Sequence, residues 1–394
     1  MAVDSLCLPA LSGISPGCGS GWARKPRSAR SERPATDSGP LQATAAGTAR
    51  YRERFESVFR PDHFREVRFD LQLSSIGIGT YLGESTDEVD VAYRAAIRRA
   101  MEAGINVIDT AINYRNQRSE RTCGAAIHQA IGEQQVQRDE LVVCSKGGYV
   151  PLDTYPPDSR EEYQAYVKRE FLDTEIIPPD ELVAGGHCLA PRFLRYCLAK
   201  SRQNLGLRTI DIYYLHNPDQ QAAVVSHGTF IKRIREAFAV LEEAASRGEI
   251  GVYGCATWAS LATAPGTKGH IELEELVGVA REVGGEGHHF RAVQLPVNLA
   301  MTDAVRVPTQ SIGGRPLTAV EAANALGLTV VASAALMQSR LASNLPPTLA
   351  EHFPSLSTDA QRALAFTRSL AGITTALVGM KRVEHVDENL AAAR

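Results

Sequence analysis

Residues Gly104–Gly124 read Gly-Ile-Asn-Val-Ile-Asp-Thr-Ala-Ile-Asn-Tyr-Arg-Asn-Gln-Arg-Ser-Glu-Arg-Thr-Cys-Gly. Ile105, Val107 and Ile108 form a short apolar run that closes on a carboxylate, Asp109, and Tyr114 follows five positions later. Ser119, with Glu120 directly after it and an apolar-periodic run beyond, marks the start of a helix. A strand that ends in Asp and loops past a Tyr places two polar side chains at its carboxyl end, where α/β architectures build their sites. Taken alone, the stretch reads equally well as an Asp capping a turn and a Tyr packed on a loop.

Working outward, the same strand–helix alternation fills the chain. An alternating segment from Arg65 (Val67, Phe69, Leu71, Leu73) predicts a short hairpin, and Ile76-Gly77-Ile78-Gly79-Thr80-Tyr81 predicts a strand ending in small residues. Helices are expected over 90–102, 120–131, 191–205, 231–247, 271–283, 318–326, 358–370 and 383–393. Strands are expected over 105–109, 141–146, 210–216, 251–255, 292–295, 328–332 and 374–378. Counted from Ile76, that is eight strands, each followed by a helix, which predicts a closed (β/α)8 TIM barrel. A doubly wound sheet fits less well, because no G-x-G-x-x-G turn follows the first strand. Two segments are expected to stay irregular: Gly147–Gly186, a long insertion after the third strand with helix possible over 160–170, and Thr302–Pro316. Both leave the barrel on the face where sites form, so both are candidate lids or pocket walls.

Composition narrows the function classes. The net charge of −3 and pI near 6.4 give no basic footprint for nucleic acid or anionic lipid. The longest apolar candidate for a membrane span, Ala325–Met337, is interrupted by Gly327, Thr329 and Ser333. Seven cysteines without a C-x-x-C pair or a preceding secretory signal point to reduced thiols, hence to a cytoplasmic protein. Residues 1–50 differ from the rest, being rich in Ser, Gly, Pro, Ala and Arg. They read as a disordered tail or, alternatively, an organelle transit peptide ahead of one domain over 51–394.

In a barrel, polar residues at the strand ends carry the chemistry, and here Asp109, Lys146 and His216 close successive strands, with Tyr114 on the second loop. Reduction of a carbonyl by hydride transfer builds negative charge on oxygen, which calls for a proton donor and a polarising group. Tyr is a weak acid, with a pKa of ~10, unless a cation stabilises its phenolate. These residues resemble the active-site signature of the aldo-keto reductases, (β/α)8-barrel reductases that use NADP(H), over roughly Ile76 to Ala393. The resemblance implies that Tyr114 donates the proton, Lys146 lowers the cost of its phenolate, Asp109 holds the ammonium and His216 orients the carbonyl.

The resemblance extends to the cofactor. Leu215-His216-Asn217-Pro218-Asp219 is similar to the family's fourth-strand motif, and Gln294 with Asn298 to the residues that hold the nicotinamide amide. Gly379 through Asn389 is similar to the adenine-end loop and helix, with Lys381 at the 2′-phosphate and Glu388 and Asn389 at the adenine. It implies that Thr80, Tyr81, Thr257, Gln294, Ser333, Leu336, Gly379, Lys381, His385, Glu388 and Asn389 line the cofactor. Three positions depart from the pattern: Ala256-Thr257 replaces Ser-Asn, Ser333 replaces the stacking aromatic, and Ser339 replaces Gly. Trp258 and Tyr81 are the aromatics placed to compensate.

The implied activity is NADP(H)-dependent reduction of a small-molecule aldehyde or ketone, with neither nucleic acid nor membrane as partner. The altered nicotinamide pocket leaves open a nucleotide-binding sensor or regulatory barrel. A Schiff-base aldolase built on Lys146 would call for a Gly-rich phosphate cup after the seventh strand, yet Ala332–Leu336 contains no Gly. The chain stops shortly after its last helix, so the 147–186 insertion is expected to supply the pocket wall.

Overall fold

The computed structural model describes residues 41–394. Eight parallel strands close into a barrel. They are β1 (Ile76–Gly79), β2 (Val107–Asp109), β3 (Val142–Gly147), β4 (Ile210–His216), β5 (Ile250–Ala256), β6 (Phe290–Pro296), β7 (Thr329–Ser333) and β8 (Thr375–Gly379). Each neighbouring pair is in parallel register, and β8 returns to β1 through Ala376↔Ile76 and Gly379↔Gly79. The outer helices are α1 (Asp87–Glu102), α2 (Arg118–Gly132), α3 (Pro191–Leu205), α4 (His227–Ser246), α5 (Leu273–Gly284), α6 (Ala319–Ala325), α7 (Asp359–Ser369) and α8 (Val383–Leu390). The expected (β/α)8 barrel is therefore the fold.

Local chemistry explains the boundaries. In α1 the Thr86 side chain caps Val89 N, acids fill the first turn, and Tyr93, Ala96, Ile97, Ala100 and Met101 form one buried stripe. The helix thus begins three residues before the expected Asp90, because its first turn is polar and shows no apolar period. Pro191 opens α3, and Gly206 ends it in the left-handed conformation.

Alternation along each strand separates two cores. Outward residues such as Ile76, Ile108, Val143, Tyr213, Cys255 and Val293 pack beneath the helices. Inward residues, among them Val107, Val142, Cys144, Ile212, Tyr214, Val252 and Ala292, fill the barrel. The large Tyr214 ring is accommodated by Gly254, where a Cβ would sit 3.1 Å from that ring and 2.0 Å from the Ala292 carbonyl oxygen.

The expected N-terminal hairpin is present, with Phe64–Glu66 antiparallel to Gln72–Ser74. Val67, Leu71 and Leu73 join the interior cluster, so the hairpin stoppers the end of the barrel where the strands begin. Ahead of it a helix spans Ala45–Glu53, capped by Thr44 on Gly47 N. Arg50, read from composition as part of a tail, pairs with Asp139 at 2.6 Å and Glu140 at 3.0 Å. Residues 41–50 therefore belong to the folded body, which corrects the expected boundary at 50; the tail or targeting reading of 1–40 lies outside the described residues.

Both irregular segments carry structure. The insertion after β3 contains a helix, Arg160–Val167, continued by a π-helical turn over Lys168–Leu172. Its Val150, Val167, Phe171 and Ile177 form a separate core with Ile112 and with Phe193 and Cys197 of α3. Thr302–Pro316 is not a loop but a helical turn, Asp303–Arg306, and a hairpin pairing Pro308–Ile312 with Arg315–Thr318. Gly313 and Gly314 both have positive φ, as a two-residue hairpin turn requires. Gln310 stitches this hairpin to the loop after β5 by donating to the Leu261 and Ile271 carbonyls.

Candidate active site

Asp109, Lys146, His216 and Gln294 sit two residues beyond the inward-facing Val107, Cys144, Tyr214 and Ala292, so strand alternation sends all four into the open end of the barrel. Lys146 is buried, and its Nζ donates to Asp109 Oδ1 at 2.5 Å and to the Thr110 carbonyl at 2.8 Å. Gln294 Nε2 donates to the other Asp109 oxygen at 2.8 Å. The Lys146 ammonium also lies against Tyr114, with Nζ 4.8 Å from the ring centroid.

The electrostatics follow from this packing. Burial works against the Lys146 charge, but Asp109 and Tyr114 outweigh it and hold the ammonium above its ordinary pKa. Burial pushes the Tyr114 phenol up to about 12, although the neighbouring ammonium pulls it down. His216 is held well below the imidazole range by burial and by the charge of Lys146, so it is neutral, and its Nδ1 has no hydrogen-bond partner. The site therefore contains a buried ion pair, a protonated phenol beside the ammonium, and a neutral imidazole.

Aromatic rings wall this centre. Tyr81, which is 47% exposed, meets Tyr114 edge-on at 5.0 Å, and Tyr114 meets His216 at 5.6 Å. Tyr149, at the start of the insertion, lies 5.0 Å from His216, and its hydroxyl accepts from Asn217 Nδ2 at 3.0 Å. Tyr149 lies in the segment expected only as a candidate lid or pocket wall; its place three residues after Lys146 was the available signal.

The residues read as lining the cofactor divide into two groups. Thr257 is buried with its hydroxyl unpartnered, and Asn389 is buried with Oδ1 unpartnered. Both are polar atoms that lack a protein partner, as ligand contacts require. Lys381 is exposed beside Gly379, and Arg382 bonds His385 Nε2 at 2.6 Å at the N-terminus of α8. A dinucleotide's amide, phosphate and base edge fit these donors and acceptors. Ser333 and Leu336 lie half-buried on the loop side of β7, and Glu388 half-buried on α8.

Other candidates are engaged within the protein. Thr80 Oγ1 donates to the Asp109 carbonyl at 3.1 Å, and Gln294 spends its amide N–H on Asp109. Asn298 donates to the Ala334 carbonyl at 3.0 Å and accepts from the Ala300 and Met301 N–H groups at 2.9 Å, which ties the loop after β6 to that after β7. Gln294 and Asn298 thus organise the site's frame, a role that sequence resemblance alone did not convey.

Comparison with known proteins places the chain in a class. The Aldo/keto reductase family model matches residues 75–273, about half of the chain, and the chain belongs to that family. It is similar to D-threo-aldose 1-dehydrogenase of a Pseudomonas species, 27% identical over 168 residues, which cover 42% of this chain and 44% of the relative. It is also similar to NADH-specific methylglyoxal reductase of Escherichia coli (strain K12), 30% identical over 192 residues, 48% of this chain and 49% of the relative. The chain thus spans about half the length of these curated relatives.

Among solved structures, an aldo/keto reductase from Klebsiella pneumoniae in complex with NADP and acetate shares 20% identity, with TM-score 0.55 over 83% of this chain and 89% of that one. A holo-form aldo-keto reductase from Bacillus halodurans shares 16%, with TM-score 0.54 over 84% and 90%. At these identities the likeness is one of fold.

Proposed function

We propose that this chain is an NADP(H)-dependent oxidoreductase that reduces an aldehyde or ketone to an alcohol. The observation that carries the reading is the buried Asp109–Lys146 ion pair set against Tyr114, beside a neutral His216 at the barrel mouth. A nicotinamide cofactor held by Thr257, Lys381, Arg382 and Asn389 would supply the hydride that the carbonyl carbon accepts. His216, being neutral, offers an N–H to the carbonyl oxygen without competing for its proton. Tyr114 delivers its proton to that oxygen as charge builds there; an alkoxide is a far stronger base than a phenolate, so the raised pKa of the phenol does not oppose transfer. Lys146 holds the phenolate left behind, while Asp109, fixed on its other oxygen by Gln294, keeps the ammonium charged and in place.

For the cofactor, Thr257 would take the carboxamide, Lys381 and Arg382 the 2′-phosphate, and Asn389 with Glu388 the adenine. Two basic residues at the α8 N-terminus, with the helix dipole behind them, favour the phosphorylated dinucleotide. Tyr81 and Tyr149 would flank the substrate, which suits small aldehydes of the kinds that the similar enzymes are named for, methylglyoxal and aldoses.

The test is NADPH oxidation followed by absorbance with such a panel, beside a Tyr114→Phe control. Turnover that disappears in the control supports the reading. Tight NADPH binding with no turnover on any carbonyl overturns it and favours the regulatory barrel, for which the absence of a stacking aromatic at Ser333 argues.

A further inference from the structure

The insertion returns to the barrel through His187, a residue that the reaction scheme above does not use. Its ring is fully buried, and its Nε2 lies 2.8 Å from the backbone carbonyl oxygen of His216. Its Nδ1 lies 3.0 Å from Gln221 Nε2. Gln221 Oε1 accepts from Arg233 Nη1 at 2.5 Å, and Arg233 Nη2 donates to the Asp180 carbonyl at 2.9 Å.

This chain has one direction. A guanidinium only donates, so the Gln221 oxygen must face Arg233 and its NH2 must face His187. Nδ1 then accepts, and the single ring proton sits on Nε2, aimed at the His216 carbonyl. Burial, with the Arg233 charge adding to it, pushes the His187 pKa down to about 4, which agrees with a neutral ring. Four groups from α4 to the end of β4 are thereby locked in one orientation.

Two further observations tie His187 to the reacting end of His216. Tyr149 is clasped between the two imidazoles, 4.9 Å from the His187 ring and 5.0 Å from the His216 ring, edge-on to both. Gly148 supplies the room: a Cβ there would lie 2.9 Å from the His216 carbonyl oxygen and 3.2 Å from His187 Nε2. The chain turns directly after His216 into a left-handed Asn217, φ 48°, so the carbonyl that His187 grips lies at a corner whose backbone must be held.

We propose that His187 is a positioning residue of the reductase site: through its N–H on the His216 carbonyl and its contact with Tyr149, it sets the aim of the His216 imidazole. The inference rests on the reductase reading only for its kinetic consequence, not for the geometry. A 1 Å misplacement of a catalytic group can cost as much as ~10²-fold in rate. His187→Leu, which keeps bulk but removes the donor, should lower kcat about tenfold, with aldehyde KM and NADPH affinity changed less than about twofold. His187→Gln places an amide N–H at a similar reach and should recover most of that loss. Gln221→Leu, which removes the group that sets the tautomer, should reproduce a smaller part of it.

The activity-independent readout is the ¹⁵N spectrum of the His216 imidazole in full-length protein, expected to shift in His187→Leu and to return in His187→Gln. If the unmutated protein shows no turnover on any carbonyl, the reductase reading fails, and the spectrum still decides the positioning role. An unchanged His216 spectrum in a folded His187→Leu overturns the proposal, as does an equal loss of kcat in the Leu and Gln variants. Should the Leu variant not fold, an unchanged spectrum in Gln221→Leu overturns it instead.

Discussion

Two loops at the barrel mouth share an unusual backbone and treat it in opposite ways. After β2, Arg115, Asn116 and Gln117 have φ of 47°, 55° and 68°; after β7, Met337, Gln338 and Ser339 have φ of 46°, 54° and 70°. None is Gly, and each left-handed L-residue costs roughly 1–2 kcal/mol. The first run is clamped by its own side chains. Arg115 donates to Asp90 at 2.5 Å and to the Glu84 carbonyl at 2.9 Å, and Asn116 to Ser85 at 3.0 Å. Gln117 donates to the Leu152 carbonyl at 2.9 Å and accepts from Asn204 at 3.1 Å.

The second run holds itself by backbone turns such as Met337 N to the Ala334 carbonyl, and Gln338 and Ser339 are exposed. Strain persists where surrounding contacts over-determine it. The clamped run directly follows Tyr114 and fixes where the phenol points. The unclamped one borders Leu336, on the side proposed for the cofactor, where a ligand would supply the missing contacts.

If the clamped loop exists to aim Tyr114, the phenol must matter most: Tyr114→Phe should reduce turnover by ~10²-fold or more, with NADPH affinity little changed in a fluorescence titration. Removing the clamp should act next. Arg115→Ala leaves Asp90 with Arg118 alone, and chemical denaturation should show a loss of about 2 kcal/mol, below the range for a fully buried pair because Asp90 is partly exposed. In the same variant kcat should fall with little change in NADPH affinity; unchanged kcat would detach the strained turn from Tyr114.

On the cofactor side, losing a charge-assisted contact typically costs ~1.5–3 kcal/mol. Lys381→Ala should therefore narrow the preference for NADPH over NADH by roughly tenfold or more, read as the ratio of the two dissociation constants. Equal affinities in the unmutated protein would contradict the assignment. The smallest effect divides the two runs most sharply. Gln338→Gly relieves left-handed strain and, after the entropy that Gly adds to the unfolded chain, should stabilise by about 0.5 kcal/mol. Gln117→Gly gains the same relief but loses the part-buried bonds to Leu152 and Asn204, each worth about 1 kcal/mol, and should destabilise by about 1.5 kcal/mol. The same sign in both would remove the distinction.

What was legible in the sequence follows the range of the interactions that encode it. Strand alternation and helix stripes are local, so the barrel and the inward aim of Asp109, Lys146 and His216 could be read directly. The bond from Gln294 to Asp109 joins residues 185 positions apart across the barrel and has no local trace. The return of the insertion to His216 through His187 depends on the packing of Phe171 and Ile177 against Phe193, which no period reveals. The hairpin around Gly313-Gly314 was legible in principle, since two glycines between alternating residues mark such a turn. Arg50 was misassigned because its acidic partners lie about ninety residues away.

The plugged end of the barrel also gathers the ends of the folded body. Arg60 N donates to the Ala393 carbonyl at 3.1 Å, Arg368 reaches the Ala392 carbonyl at 3.0 Å, and Thr44 N bonds the Asp139 carbonyl at 3.1 Å just ahead of β3. An immobilising resin or a fluorescent fusion joined beside Ala393, or grafted ahead of Thr44, is thus held on the side opposite Tyr114 and leaves the mouth facing solution.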